Sequence, residues 1–225
     1  MSSQRPFAAS LTLLVALMLT LALGLPGLAQ AQPGQNISLP APQTQGGLPL
    51  MQALKQRHTS REFDPRQLEP QVLSDLLWAA FGINRPESGR RTAPSAKNWQ
   101  EVDIYVVLAE GVYRYDPKGH ALVWVASGDL RPLAGRQGFV NHAPLNLVFV
   151  ADLARVGHEA GDDKALLTGA DVGFISQNVY LFCASQGLNT VVRAGMDKPG
   201  LVKALGLRPE QQPILAQTVG HAPGK

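Results

Sequence analysis

Three strand-like runs separated by tight turns occupy the middle of the chain, and no other feature restricts the fold as strongly. The runs cover residues 102–109, 112–115 and 121–126, and they are rich in β-branched and aromatic residues. Their connections are Glu110-Gly111 and the four-residue segment 116–119, which contains Asp, Pro and Gly. Connections this short can join only neighbouring antiparallel strands. The sequence therefore predicts an antiparallel meander at the centre of the fold.

Helical patterns lie on both sides of this meander. The segment 48–57 carries Leu50, Met51 and Leu54 on one side of a helix. Further helices are predicted at 69–81, 165–186 and 198–205, and further strands at 145–151, 191–192 and 214–219. Helices and antiparallel strands are mixed along the chain, so the pattern predicts an α+β fold with a mixed, largely antiparallel sheet flanked by helices.

The amino terminus has the pattern of a secretory signal peptide. After Arg5 the chain is almost continuously apolar, and the small residues Ala29 and Ala31 occupy the −3 and −1 positions of a cleavage site. Cleavage after Ala31 would export the protein, and we expect it in a bacterial periplasm, without stable membrane association. An uncleaved membrane anchor is the alternative. Residues 32–47, rich in Gln, Pro and Gly, are predicted to be a flexible tail before one domain at 48–225.

Charge and cysteine content exclude some function classes. The formal net charge is +3, and loss of Arg5 with the signal peptide leaves +2. This charge is too small to indicate a nucleic-acid partner, and no basic run is interleaved with aromatic residues. Cys183 is the single cysteine and lies in an apolar helical run, where a buried, unreactive thiol is expected. No metal site is predicted.

The segment Arg57-His58-Thr59-Ser60-Arg61 follows the first predicted helix and concentrates cationic and hydroxyl groups. An anion such as a phosphate is bound by several converging hydrogen-bond donors, and the planar guanidinium of arginine offers two such donors side by side. The alternative is a solvated basic helix terminus.

Two other segments have candidate site chemistry. The polar loop 93–100 contains Asn98, whose side chain offers a donor and an acceptor together, and Pro94 and Ser95 precede it. Taken alone, Asn98 is equally compatible with a loop cap. Gly187 opens a glycine turn after the long helix, and a strand then leads to Ala194-Gly195. A plain strand–loop–helix connection is the alternative for that segment.

The order and spacing of these three segments resemble the nitroreductase family of flavoenzymes over about residues 48–221. The resemblance implies that FMN is the cofactor. It implies that Arg57 and Thr59 bind the phosphate or ribityl chain, and that Arg61 lies near the N1/O2 edge of the flavin ring. A cation there would stabilise the reduced, anionic flavin. His58 would either donate to the phosphate or pack.

The resemblance also assigns the other segments. Asn98 would bind the pyrimidine edge of the ring, with Pro94 and Ser95 shaping the pocket. A backbone N–H at Ala194-Gly195 would bind flavin N5. Family members often have Glu-Gly at these two positions, so this chain lacks that carboxylate, and no catalytic side chain is predicted.

Some resemblances leave a residue's role open. Asp171 begins a segment similar to the family's Asp-x-Gly-x-x-x-Gln-Asn helix, in which Gln177 and Asn178 are expected to have buried partners, at the subunit interface or on backbone groups, rather than to contact flavin. Lys225 would reach the FMN phosphate or belong to a frayed terminus. Residues 90–95 (Arg-Arg-Thr-Ala-Pro-Ser) also resemble the SagB-type dehydrogenase branch, but the continuation Lys-Asn-Trp-Gln departs from it.

The function implied is that of an FMN-dependent oxidoreductase and a homodimer with FMN at the subunit interface. Hydride would pass through flavin N5 from NAD(P)H, or from another donor because the protein is expected to be exported. A nitroaromatic, a quinone or a similar flat molecule would be the acceptor. Two alternatives are an exported FMN-binding or sensing module without nicotinamide-linked turnover, and a structural dimer without cofactor.

Overall fold

A computed structural model describes residues 34–224, and its main element is a seven-stranded sheet. The helices are α1 (Leu50–Gln56), α2 (Pro70–Phe81), α3 (Lys164–Gln186) and α4 (Lys198–Ala204). The strands are β1 (Ile37–Ser38), β2 (Ile83–Arg85), β3 (Arg90–Arg91), β4 (Val102–Val107), β5 (Gly111–Asp116), β6 (Ala121–Ser127), β7 (Leu145–Asp152), β8 (Leu188–Arg193) and β9 (Gln211–His221). The predicted α+β fold with a largely antiparallel sheet is confirmed.

The sheet has the strand order β1-β6-β5-β4-β7-β9-β8, and every pairing within it is antiparallel. The predicted meander is the consecutive set β4, β5 and β6. All eight residues of β7 are buried, as expected for an apolar run that is covered on both faces of the sheet.

Helices cover the two faces of the sheet unequally. On one face α2 and α3 pack with side chains such as Leu76, Ile175 and Phe149 in the larger core. On the other face α4 and short 3-10 turns cover a smaller core that includes Val148, Val150 and Leu201. This arrangement leaves the ends of β8 and the amino end of β4 free to position loops.

Helix α3 ends where the glycine turn was predicted. Gly187 adopts a left-handed conformation with φ of 68°, and its N–H donates to the Cys183 carbonyl. Glycine takes this conformation without the steric cost that a Cβ atom imposes. Cys183 itself is fully buried, and burial raises the pKa of its thiol, so the expectation of an unreactive thiol agrees with its surroundings.

The prediction of a flexible tail is wrong for residues 34–47. Ile37 and Ser38 form β1 on the edge of the sheet beside β6. The Leu39 N–H donates to the His120 carbonyl, and the hydroxyl of Ser74 donates to the Pro40 carbonyl. The low-hydrophobicity sequence is held by these hydrogen bonds to distant residues, which composition alone does not reveal.

Just before the polar loop, β2 and β3 form a small hairpin that the sequence did not predict. One further expectation is corrected. The apolar residues predicted on one side of α1 do not face the core, because Ala53 is its buried residue whereas Leu50 and Met51 are 62% and 75% exposed. Within residues 34–224, no helix has the length and apolar character needed to cross a bilayer.

Candidate functional site

The segment 57–61 is attached to α3 through Tyr180. Arg57 leaves the helical conformation directly after α1, with φ of −55° and ψ of 119°. Its guanidinium carbon lies 5.4 Å from the centroid of the Tyr180 ring, and the Thr59 hydroxyl oxygen lies 3.1 Å from the Tyr180 hydroxyl oxygen. Arg57 and Thr59 were predicted to bind the same part of FMN, and both lie against the Tyr180 side chain.

The same segment runs beside β8. The Ser60 N–H donates to the Thr190 carbonyl over 3.0 Å, and the Asn189 side chain donates to the Glu62 carbonyl over 2.7 Å. The Tyr180 hydroxyl also accepts the Val192 N–H over 3.0 Å. These bonds fix the backbone of the segment, so that its side chains can face outward in a defined arrangement.

The cations of this segment remain available. Arg57 is half-buried, whereas His58 and Arg61 are exposed, and His58 Nδ1 donates to the Gln56 carbonyl over 2.9 Å. Within residues 34–224, neither Arg57 nor Arg61 forms an ion pair with a carboxylate. Guanidinium groups without an internal counter-ion fit an anionic ligand such as a phosphate.

The loop around Asn98 has an unusual backbone. Lys97, Asn98 and Gln100 have positive φ angles of 48°, 60° and 49°. Each such conformation in a residue other than glycine is uncommon, and a cluster of them persists only when surrounding contacts impose it. Strain of this kind concentrates at ligand-binding sites.

Hydrogen bonds impose that backbone from inside the loop. The Ser95 hydroxyl accepts the Gln100 N–H over 2.9 Å, and the Ser95 carbonyl accepts the Asn98 N–H over 3.0 Å. Asn98 Oδ1 accepts from Gln100 Nε2 over 3.0 Å. The Asn98 side chain is exposed, and Ser95 holds the turn of the loop through its hydroxyl and its carbonyl. Pro94 is exposed at the start of the loop.

Two bonds from outside hold the loop in place. Arg91 donates from Nε to Gln100 Oε1 over 2.9 Å, and its guanidinium lies over the Phe81 ring. Burial lowers the pKa of Arg91. The Ala96 N–H donates to the Asp171 carboxylate over 2.8 Å. The loop is thus tied to the β2–β3 hairpin and to α3.

Ala194 and Gly195 lie just after β8 and are both exposed. A Cβ atom built on Gly195 would have no heavy atom within 4 Å. The protein itself therefore does not require glycine there, and the open space is compatible with a ligand that approaches the backbone closely.

A buried cation lies directly behind this segment. Arg193 donates to the Thr218 hydroxyl over 2.5 Å, to the side-chain oxygen Oδ1 of Asn146 over 2.7 Å and to the backbone carbonyl of Ala134 over 3.0 Å. No carboxylate pairs with it within residues 34–224, and burial lowers its pKa to about 10. The three neutral acceptors fix the end of β8 and so position Gly195.

Within one chain the predicted site residues form two groups. Thr59 is anchored at Tyr180 and the Asn98 loop at Asp171, and these α3 positions are separated by about 13 Å along the helix axis. A groove of about 620 Å³ lies between the 43–47 segment, α2 and α3, but none of the predicted site residues lines it. This groove therefore does not unite them.

Other expected roles have mixed outcomes. Gln177 is exposed in the single chain, so a partner at a subunit interface stays a prediction for it, whereas Asn178 is half-buried with its amide 3.4 Å from the Ala80 carbonyl. Lys225 and the predicted signal peptide lie outside the described residues. Sequence reasoning missed Tyr180 and Arg91 as anchors. Their only signal was an aromatic residue in the apolar run of α3 and a cation just before the loop.

Known proteins are similar to this chain in sequence and in fold. The model of the nitroreductase family matches residues 54–221. A nitroreductase-like protein of Methanocaldococcus jannaschii is 32% identical over 182 residues, which are 76% of this chain and 90% of that protein. The crystal structure of a nitroreductase-like protein from Ralstonia eutropha superimposes with a TM-score of 0.81 and 41% identity, covering 90% of this chain and 97% of that one.

A more distant structure is similar in fold alone. The NADPH:FMN oxidoreductase of Vibrio harveyi, solved with NAD+, has a TM-score of 0.56 and 20% identity, covering 77% of this chain and 69% of that one.

Proposed function

Because the chain belongs to the nitroreductase family, whose members are flavin-dependent oxidoreductases, we propose that it is an FMN-dependent oxidoreductase. The observation that carries the proposal is the arrangement of Arg57 and Thr59 on Tyr180, together with the Arg57 and Arg61 guanidinium groups, which pair with no carboxylate of the described residues. Arg57 and Thr59 would hold the phosphate or the ribityl chain, and His58 would supply a further donor. Arg61 would stabilise the negative charge that reduction places on the flavin ring.

The ring would be held by two loops. The exposed amide of Asn98, on a strained and hydrogen-bonded loop that begins at Pro94 and Ser95, fits the pyrimidine edge of a flavin. The open space at Gly195 would allow the backbone of Ala194-Gly195 to approach N5. FMN, when bound, supplies hydride transfer through N5, and the protein orients it and stabilises charge.

A homodimer would complete this site. The two groups of site residues have different anchors on α3, and a second copy would enclose one ligand between the groups of the two chains. Five large apolar residues on α1 and α3 are exposed: Leu50, Met51, Leu54, Leu166 and Phe174. An apolar patch of this kind on the two helices is suited to burial against the same patch of a partner.

The donor and acceptor belong to the same proposal. The fold neighbour from V. harveyi is an NADPH:FMN oxidoreductase, which supports NAD(P)H as one donor. We also propose that residues 1–31 direct export to the periplasm, where a donor other than NAD(P)H would be needed. A flat acceptor such as a nitroaromatic or a quinone would stack on the open face of the ring.

Reconstitution with FMN distinguishes an enzyme from an FMN-binding or sensing module. The absence of the family's carboxylate at Ala194 favours the module. We expect the purified protein to bind FMN, and the bound flavin to bleach on anaerobic mixing with NADH or NADPH. Dithionite, which reduces flavin chemically, is the control for an intact site. Bleaching by dithionite but not by either nicotinamide would count against the nicotinamide-linked enzyme. A colourless protein whose Tm ignores added FMN would support the structural dimer.

Localisation has its own test. Expression of the full chain in a Gram-negative host, followed by fractionation and mass determination of the mature amino terminus, should place a protein that begins at Gln32 in the periplasm. Recovery of the uncut chain in the membrane fraction would support the anchor.

A further inference from the structure

Glu101 is a buried carboxyl group that the proposed function does not use. It lies between the Asn98 loop and β4, it is fully buried, and its backbone carbonyl accepts the Asp152 N–H over 2.8 Å. Among the described residues, neither of its carboxyl oxygens has a hydrogen-bond donor at normal geometry. A buried carboxylate without donors is costly, so this side chain requires an explanation.

The explanation lies in the groups that face Glu101. From α3 it faces Asp171, close enough for a hydrogen bond between the two carboxyl groups. From the segment after β7 it faces Arg155, whose guanidinium is engaged by Asp103, by Asp152 and by the Gln100 carbonyl. Burial, the largest effect, and the negative charge of Asp171 raise the pKa of Glu101 to about 7, against the opposing effects of its own backbone N–H and of Arg155. Two carboxylates cannot bond to each other, whereas a carboxylic acid donates to a carboxylate.

Asp171 connects this pair to the proposed FMN site. Its Oδ2 atom accepts the Ala96 N–H over 2.8 Å, at the start of the turn that carries Asn98. Lys97, Asn98 and Gln100 are held with positive φ angles in the same loop. The strained loop is therefore anchored on an acceptor that faces Glu101.

We propose that Glu101 and Asp171 share one proton, and that the protonated pair positions the loop that carries Asn98. The acid O–H of Glu101 donates to the Asp171 carboxylate, which in turn accepts from Ala96. When the proton leaves to solvent, two negative charges oppose each other, Asp171 shifts, and the loop loses this anchor. Glu101 and Asp171 are positioning residues. Their effect on FMN rests on the proposed function, but their effect on the loop does not.

The test measures hydrogen exchange of the Ala96 amide in the protein without flavin, as a protection factor corrected for the intrinsic pH dependence of exchange. In the wild type we expect protection to fall roughly tenfold between about pH 6 and about pH 8.5. In Glu101→Gln the side-chain amide replaces the acid donor, and protection should stay high across this range. Asp171→Asn donates from its own amide to Glu101 and should also remove the pH dependence. Amides of α2 are the internal control.

The affinity for FMN is the second readout. Between the same pH values we expect the wild-type Kd to rise severalfold and the Glu101→Gln Kd to stay constant. If the Ala96 amide is equally protected in wild type and in Glu101→Gln at every pH, the proposed sharing of a proton by Glu101 and Asp171 is overturned, whether or not FMN binds. If Ala96 responds as expected and FMN binds at no pH, the pair stands and the proposed function fails.

Discussion

The hydroxyl of Thr59 and the hydroxyl of Tyr180 lie 3.1 Å apart, although the two residues are 121 positions apart in the chain. The Tyr180 hydroxyl also accepts the Val192 N–H. One side chain of α3 therefore joins the proposed phosphate-binding segment to β8. This contact makes Tyr180 the first residue to test.

Tyr180→Phe should weaken the site without destroying the fold. It removes both bonds of the hydroxyl and leaves the Val192 N–H without its partner, which costs about 1–3 kcal/mol in the free energy of unfolding. We expect the FMN Kd to rise roughly tenfold. Flavin fluorescence and urea unfolding measure the two effects. Tyr113→Phe is the matched control, because the buried Tyr113 hydroxyl has no partner in the described chain. A similar loss in both variants would contradict the role of Tyr180.

Arg57→Ala should discriminate between two flavins. If Arg57 binds the phosphate, the variant loses about 1.5–3 kcal/mol of FMN binding, which is roughly tenfold to a hundredfold in Kd. Riboflavin, which has no phosphate, should bind wild type and variant equally. Lys118→Ala removes one exposed positive charge in the β5–β6 turn and controls for net charge. Equal weakening of FMN and riboflavin would assign Arg57 to the ring instead.

Gly195→Val should weaken flavin binding and leave the stability of the protein nearly unchanged. The position has open space around its Cβ direction, so the free energy of unfolding should change little. A flavin that approaches this backbone would meet the new side chain, and we expect FMN affinity to fall about tenfold or more. Gly138→Val, at an exposed glycine with equally open surroundings, should leave FMN binding unchanged. Unchanged binding in Gly195→Val would place the flavin elsewhere.

His120 should make stability depend on pH on the acid side. Its Nδ1 lies 3.0 Å from the Tyr115 hydroxyl and its Nε2 lies 2.7 Å from the Ser74 hydroxyl, and burial lowers its pKa. Because the unfolded chain takes up the proton more readily, this contribution is full above about pH 6.5 and is lost as the pH falls.

His120→Asn should therefore flatten the acid limb of the free energy of unfolding, measured by urea at several pH values. Asparagine also tolerates the positive φ of 45° at this position. His142→Asn, at an exposed histidine, should leave the acid limb unchanged. An acid limb that keeps its wild-type slope in His120→Asn would show that another group titrates.

Phe174→Glu should disrupt the proposed dimer. Phe174 is 47% exposed on α3, so a charge is tolerated in a single chain but is costly when buried against a partner. Analytical ultracentrifugation should show a monomer with an unchanged far-UV spectrum, and FMN affinity should fall because the two groups of site residues no longer meet. Gln212→Glu adds the same charge at an exposed position of β9 and should remain dimeric. A monomeric wild type would refute this arrangement.

Local patterns predicted the elements of this fold well. The meander, the buried strand β7 and the end of α3 at Gly187 depend on hydrophobic periodicity and on turn residues that lie close together in the sequence. The prediction for residues 34–47 failed because the hydrogen bonds of this segment are made with His120 and Ser74, far along the chain. The prediction for α1 was wrong because hydrophobic periodicity identifies the apolar side of a helix but not whether the fold covers that side.

The sequence by itself determined the main helices and strands, the family and which three segments have candidate site chemistry, since these depend on residues that are neighbours in the chain. Only the tertiary structure decided what holds those segments. Ala96 reaches Asp171 across 75 positions, and Thr59 reaches Tyr180 across 121. Burial of Glu101 is likewise a property of packing, because a carboxyl next to a polar loop is expected to face water until the fold closes around it.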